Sequence, residues 1–417
     1  MATEENSPPT ATVTDRAERR GPMPALAHRD FRFLLAGNVF TGLGQWTQLV
    51  GKSWLVYELS GSTLQLGLVA FFQGIGMLLS PVGGDFADRF DRRKVMLASQ
   101  VGMVVIGVTI AVLVLTDAVR IWHIYLMALL GGAVFAFNSP SRQSLVFDIV
   151  GPKDISNAVA LNGISMNSMR LVGPTVAGVL IGTVGVGGTF FMQAGCFLVA
   201  AGTALMLRPV PFSGPRSSAP ILQSIKDGFS YARKDRTITD LLMITYIWSF
   251  LGMAYLQLMA AYAGDVLGLD GEGFGYLMIA VGVGGMLGAA GIAVAGNFAA
   301  RGKLLIGGVL SMGAMLMVLG ASDILAVAIV ALVGLGLGNT VSMLMSNLLL
   351  QTNVDDRYRG RVMSLFMISF AIVPLASLIG GSIAEAIGLR PVYIAFGALI
   401  VGLTLWLAMS SPRLRRL

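Results

Sequence analysis

Two cations stand inside stretches that are otherwise apolar: Lys52, within 33–57, and Arg170, within 159–182. A Lys or Arg at the centre of a hydrocarbon-spanning helix costs about 2.5–3.5 kcal/mol on insertion scales, so it persists where it faces a cavity or a partner. Lys52 shares a helical side with Thr41, Gln45 and Gln48, at steps of three and four, with Asn38 below them. It also lies near one end of its segment, within snorkelling reach of the interface. Arg170 is central and is followed by Gly173-Pro174 and Gly178. The chemistry open to such a set is recognition of a small molecule in a polar cavity. A covalent or metal-assisted reaction has no support. There is one cysteine, Cys196, and the two histidines, His28 and His123, lie far apart with no metal-binding spacing. No cofactor is expected.

The elements that must position these residues follow from composition. Of 417 residues, 55% are hydrophobic and only 12% charged, with a mean hydropathy of +0.76. Soluble domains carry about 25% charged residues, so this chain reads as an all-α protein embedded in a lipid bilayer. Splitting it at charged and turn-forming clusters gives twelve segments of bilayer-spanning length. The first six are near 33–57, 63–83, 94–116, 121–140, 159–182 and 187–207. The second six are near 238–263, 273–296, 303–321, 324–349, 361–384 and 390–410.

Charge gives the orientation. Of 29 Lys and Arg residues, all but Lys52, Arg170, Arg120 and Arg390 fall in segments that alternate to one side. That side is expected to be the cytoplasmic face, with both termini inside a cell (plasma or inner) membrane. The opposite loops carry Glu58, Asp117, Asp265, Asp270, Glu272 and Asp323. The net charge of +7 therefore reflects topology, and no nucleic-acid partner is implied. Residues 1–30 read as a disordered tail, 31–207 as a first six-helix bundle, and 208–237 as a proline-bearing linker with a short amphipathic helix over 221–234. Residues 238–410 form the second bundle, and 411–417 close the chain.

The halves echo each other. Gly84-Asp85-Phe86-Ala87-Asp88-Arg89 after the second segment is answered by Gly296-Asn297-Phe298-Ala299-Ala300-Arg301 after the eighth, and Pro174 by Pro374. Internal repeats of this kind build secondary transporters, with the substrate site near the midplane between the halves. Gly84 suits close helix approach, and Asp88 can pair with Arg92 or accept from a neighbouring helix N-terminus.

The run Gly84-x-x-x-Asp88-Arg89-x-x-Arg92-Arg93-Lys94 resembles the signature loop of the major facilitator superfamily, although Asp91 stands where that family often has Gly. Gly44-Gln45-Trp46, Trp54–Ser62, Asn138–Gln143 and Arg359–Ser364 resemble the branch of the enterobactin exporter and macrolide-efflux permeases. The resemblance implies two six-helix bundles that rock about a central site. Gly84, Asp88, Arg89, Arg92 and Arg93 would then form a latch against the eleventh span that favours the outward-open state. Gly173, Pro174 and Gly178 would gate the pathway, as the Gly-Pro motif does in exporters, and Asn38, Gln45, Gln48, Lys52 and Arg170 would line the cavity. It further implies a monomer that exports a medium-sized amphipathic compound, such as a siderophore, macrolide or other drug, against protons.

The acids fit proton coupling poorly. All 22 carboxylates lie in tails, loops or span ends, and Gln45 occupies a position that is often acidic in that branch. Glu58, Asp265, Glu385 and Asp240 are the remaining candidates. An uncoupled facilitator or lysophospholipid-type flippase is therefore the alternative within transport, and a non-transporting membrane sensor the alternative outside it. Gly51-Lys52-Ser53 mimics the end of a phosphate-binding loop, but Trp46 stands at the first glycine position, so ATP-driven transport has no support.

Overall fold

The computed structural model describes residues 23–80, 82, 83, 86, 90–208, 221–295 and 300–417. Ten helical stretches among them are long and apolar enough to cross a membrane. Two more complete the set. Arg29–Ser60 is long enough, but its polar residues lower its hydropathy, and Thr63–Met77 runs up to residues outside the description. In chain order the remaining spans are Arg92–Leu115, Ile121–Ile155, Asn157–Val184, Val186–Leu205, Arg236–Val266, Gly271–Ala295, Arg301–Ala321, Leu325–Asn353, Tyr358–Ile387 and Leu389–Ser410. We number these spans one to twelve. A further helix, the linker helix, spans Ile221–Lys234 between spans six and seven.

Span four departs from expectation. The cluster Asn138-Ser139-Pro140-Ser141-Arg142 reads as the end of a span, yet the helix runs through it to the hairpin at Gly151. Asn138 and Ser141 are buried, and the Ser141 hydroxyl donates to the Phe137 carbonyl at 2.9 Å. Packing thus outweighs the local turn signal, and Arg142 belongs to the helix rather than to a loop. The turn falls instead at Gly151, whose φ of +69° is left-handed and suits a residue without Cβ. Spans seven and eleven are each interrupted, at Ala254 and at Ile372. The second break has a plain cause, because Pro374 has no N–H to donate back along the helix.

Small residues set the packing within each half. A Cβ on Gly76 would lie 2.2 Å from the Leu129 carbonyl oxygen, and one on Gly132 would lie 2.1 Å from that of Gln73. Spans two and four thus cross backbone to backbone. In the second half, spans eight and ten do the same: a Cβ on Gly284 would lie 1.9 Å from Val333 O, and one on Gly336 would lie 2.0 Å from Val281 O. Such crossings are how helices associate in lipid, where apolar burial gives no net drive.

Two ends of the molecule are distinguished by charge. The basic end holds Arg92, Arg93, Arg301 and the C-terminal residues, where the Arg301 N–H donates to Leu417 O at 3.1 Å. The acidic end holds Glu58, Asp265, Asp270, Glu272 and Asp323. The linker helix packs at the basic end on span eleven and the turn preceding it. There Tyr231 stacks on Tyr358 at 4.3 Å and its hydroxyl donates to Asp355 at 3.1 Å.

Gly336→Val should place two methyl groups into the span-eight backbone. Overpacking of this kind costs about 1–3 kcal/mol. We expect a clear drop in the thermal midpoint of the detergent-purified protein, and an unchanged midpoint would contradict the crossing.

Candidate functional site

Arg170 lies half-way along span five and reaches across to the other half of the protein. Its Nη2 donates to Asn339 Oδ1 of span ten at 2.6 Å, and its Nη1 lies 3.6 Å from Met343 Sδ. The guanidinium carbon stands 5.5 Å from the centroid of the Trp46 ring of span one. Trp46 is held in place because a Cβ on Gly173 would lie 2.3 Å from its own Cβ, so glycine lets span five press against the indole. Tyr255 begins the second segment of the interrupted span seven and stands near enough to interact electrostatically with Arg170. Four spans, two from each half, therefore converge on one cation. None of the ion pairs among the described residues involves Arg170.

Lys52 does not snorkel. It is 3% exposed, and its ammonium donates to Gln73 Oε1 of span two. Span one runs on to Ser60, which places Lys52 deeper than the sequence suggests. Asn38 donates to Asn162 of span five at 2.7 Å, and the Thr41 hydroxyl bonds back to Gly37 O at 2.8 Å. Gln45 and Gln48 are half-buried. The expected polar stripe on span one is thus divided: Asn38 and Lys52 join helices of the first half, and Trp46 meets the central arginine.

The signature loop is only partly described. Gly84, Asp88 and Arg89 lie outside the described residues. Arg92 pairs with Asp148 of span four, and Arg93 donates to Ala204 O at 3.0 Å and Leu205 O at 2.6 Å at the end of span six. Asp91 caps span three, its carboxylate accepting from the Arg93 N–H at 3.0 Å. These residues tie the first half together at the basic end. Arg390 repeats the device in the second half, donating to Gly320 O at 3.1 Å and Ala321 O at 3.0 Å. Both arginines satisfy carbonyls that a helix C-terminus leaves unpaired.

The halves meet firmly towards the acidic end. A Cβ on Gly178 would lie 2.4 Å from Cα of Gly275 in span eight, and one on Gly67 would lie 2.7 Å from Ser377 O in span eleven. Trp54 stacks on Phe274 at 5.7 Å, and Tyr57 donates to Asp265 at 2.7 Å. Glu385 of span eleven caps span two. Its Oε2 accepts from the Ser62 hydroxyl at 2.9 Å and the Leu64 N–H at 3.2 Å, and lies 3.1 Å from the Thr63 hydroxyl. A carboxylate at a helix N-terminus is stabilised by the exposed N–H groups and the helix dipole, and here it comes from the opposite half. The cap position Ser62 is legible in the sequence; the carboxylate that completes it is 323 residues away. Of the other acids considered, Asp240 is 1% exposed and accepts from Ser411, a structural tie between spans seven and twelve. Among the described residues no group of His, Cys, Asp and Glu could hold a metal ion.

A twelve-span, two-bundle architecture around a polar site between the halves defines a secondary transporter of the major facilitator type. The chain belongs to the transmembrane secretion effector family (MFS_3), whose model matches residues 20–416. It is 23% identical to the staphyloferrin A transporter of Staphylococcus aureus, over 92% of this chain and 97% of that protein. It is 25% identical to the multidrug efflux pump Tap of Mycolicibacterium fortuitum, over 96% and 98% of the two chains. Among solved structures, a D-xylose-proton symporter superposes with a TM-score of 0.72 at 17% identity, covering 94% of this chain and 99% of that one. The nucleoside transporter NupG superposes with the same score at 11% identity, covering 91% and 98%. The protein is a multi-pass membrane transporter rather than an enzyme.

Glu385→Gln should weaken the acidic-end closure by about 0.3–1 kcal/mol, through loss of a charge at an exposed helix N-terminus. Spin labels on cysteines at Glu58 and Ile324 should then show a larger long-distance population than in the parent; Cys196 is buried and should stay unlabelled. An unchanged distance distribution would contradict the latch.

Proposed function

We propose that this protein exports a medium-sized amphipathic compound by alternating access of the central site, drawing on the proton gradient. The observation that carries the reading is the Arg170–Asn339 bridge. A cation held half-way through the membrane, between the two halves and without an ion-pair partner among the described residues, is costly unless it serves a passing ligand. The siderophore and drug transporters among the relatives support the direction and the size class. The basic loops support a cytoplasmic basic end with both termini inside, and the hinge between bundles falls in 208–237. On that orientation, closure at the acidic end makes this structure inward-facing. We further propose a monomer, in which Gly173, Pro174 and Gly178 let span five press on Trp46 and on span eight as the halves rock. The latch of Gly84, Asp88, Arg89, Arg92 and Arg93 would close the basic end in the opposite state.

One observation favours a second reading, an uncoupled facilitator or flippase. The central site contains no carboxylate among the described residues, and Gln45 stands on span one where a proton acceptor would serve. If coupling holds, Glu385 and Asp265 at the acidic end are the carboxylates that change partners between states.

The test is accumulation of a radiolabelled compound panel in cells lacking their own efflux pumps, with and without an uncoupler. We expect lower accumulation in cells expressing the protein, restored by the uncoupler, and lost in Arg170→Ala although that variant still inserts. Flux that ignores the uncoupler would select the facilitator reading. Wild-type flux in Arg170→Ala would overturn the site assignment.

A further inference from the structure

We propose that Arg170, Asn339 and Tyr255 form a receptor for a carboxylate of the transported compound, with the apolar part of that compound against Trp46 and Met343. The proposal rests on the transport reading and assigns the charge of the substrate.

Hydrogen-bond bookkeeping carries it. A guanidinium offers five N–H donors and no acceptor. Arg170 uses one of them on Asn339 Oδ1 and sets another against Met343 Sδ, a weak acceptor. Because the arginine can only donate, Asn339 must turn its oxygen towards it, which points Nδ2 elsewhere. That Nδ2 is buried without a partner, on a residue 2% exposed. Tyr255 is 1% exposed, and its hydroxyl is likewise buried without a partner. The site therefore holds spare guanidinium N–H groups, an amide and a phenol, all able to donate, around a cation with no counter-charge among the described residues.

The group that completes such a set is negatively charged and accepts only. A carboxylate has two oxygens with about four lone-pair positions and pairs with arginine in the guanidinium plane. The guanidinium carbon stands 5.5 Å from the centroid of the Trp46 ring, which places an aromatic surface beside the cation. Lys52 stands apart from this set: its ammonium is 3% exposed and donates to Gln73 of span two, within the first half. Unsatisfied buried donors are costly, so the anion relieves groups from spans five, seven and ten together. Binding would thereby couple the two halves.

The experiment uses the full-length protein in nanodiscs, with 1-naphthoate and its uncharged counterpart 1-naphthamide as probes. Equilibrium binding is read with no gradient or flux. We expect naphthoate to bind at least about tenfold more tightly than naphthamide, and Tyr255→Phe and Asn339→Ala each to weaken naphthoate about tenfold while leaving naphthamide unchanged. Arg170→Gln should abolish the preference for the anion, and Arg170→Lys should restore part of it. Tyr255→Phe deletes an oxygen that has no partner, so its thermal midpoint should hold or rise. Equal affinity of the wild type for both probes, or no naphthoate binding at millimolar concentration, would overturn the receptor. So would a Tyr255→Phe variant that loses both probes equally. Carboxylate-selective binding without any flux in vesicles would leave the receptor standing and sink the transport reading, so the two failures are distinct.

Discussion

The whole arrangement turns on keeping a guanidinium in the low-dielectric middle of the molecule. Removing a charge from water costs several kcal/mol, and that cost is offset only by close, well-oriented polar partners. Among the described residues Arg170 finds few: one amide oxygen, one sulfur and one aromatic face. Those partners come from both halves, so the cation is satisfied only while the halves stand in one relation. The same shortage that makes the site expensive makes it responsive, because a ligand that supplies the missing acceptor changes which arrangement is best.

The remainder of the fold holds each half together around that point. Within each half, helices cross at glycines so closely that a methyl group would meet a carbonyl oxygen, and arginines at the span ends tie neighbouring helices by their carbonyls. Across the halves, contact is close at Gly178–Gly275 and at the Glu385 cap on span two, both towards the acidic end. The cap is reversible chemistry: hydroxyls and an N–H that hold a carboxylate can be given over to water when the halves part. The breaks at Ala254 and Ile372 lie in the two spans that contribute Tyr255 and Glu385. Interruptions in transporter helices often fall where backbone must adapt to a cavity.

Much of this is legible in the residues. Hydropathy and the alternation of Lys and Arg give the span count, and Arg170 announces itself because nothing else explains a central cation. What the sequence hides is partnership. Asn339 and Tyr255 look like ordinary glue and ordinary packing until the fold brings them to Arg170. Lys52 reads as an interfacial cation because the end of span one is marked only by Gly61, and Gln73 gives no sign of being its acceptor. Span four misleads for the opposite reason: Asn138, Pro140 and Arg142 carry strong turn signals, and burial of that face overrides them. The polarity of Asn38, Gln45, Gln48 and Lys52 also explains why span one has too little hydropathy to be recognised as a span by that measure alone.

A polar site between two halves that are closed towards the acidic end should be reachable from the basic end. A cysteine at Gln45, in a Cys196→Ser background, tests it by reaction with a membrane-impermeant maleimide in vesicles of known sidedness. The account predicts fast labelling from the face that carries the basic loops and slow labelling from the other. Equal rates from both faces, or faster labelling from the acidic face, would contradict it.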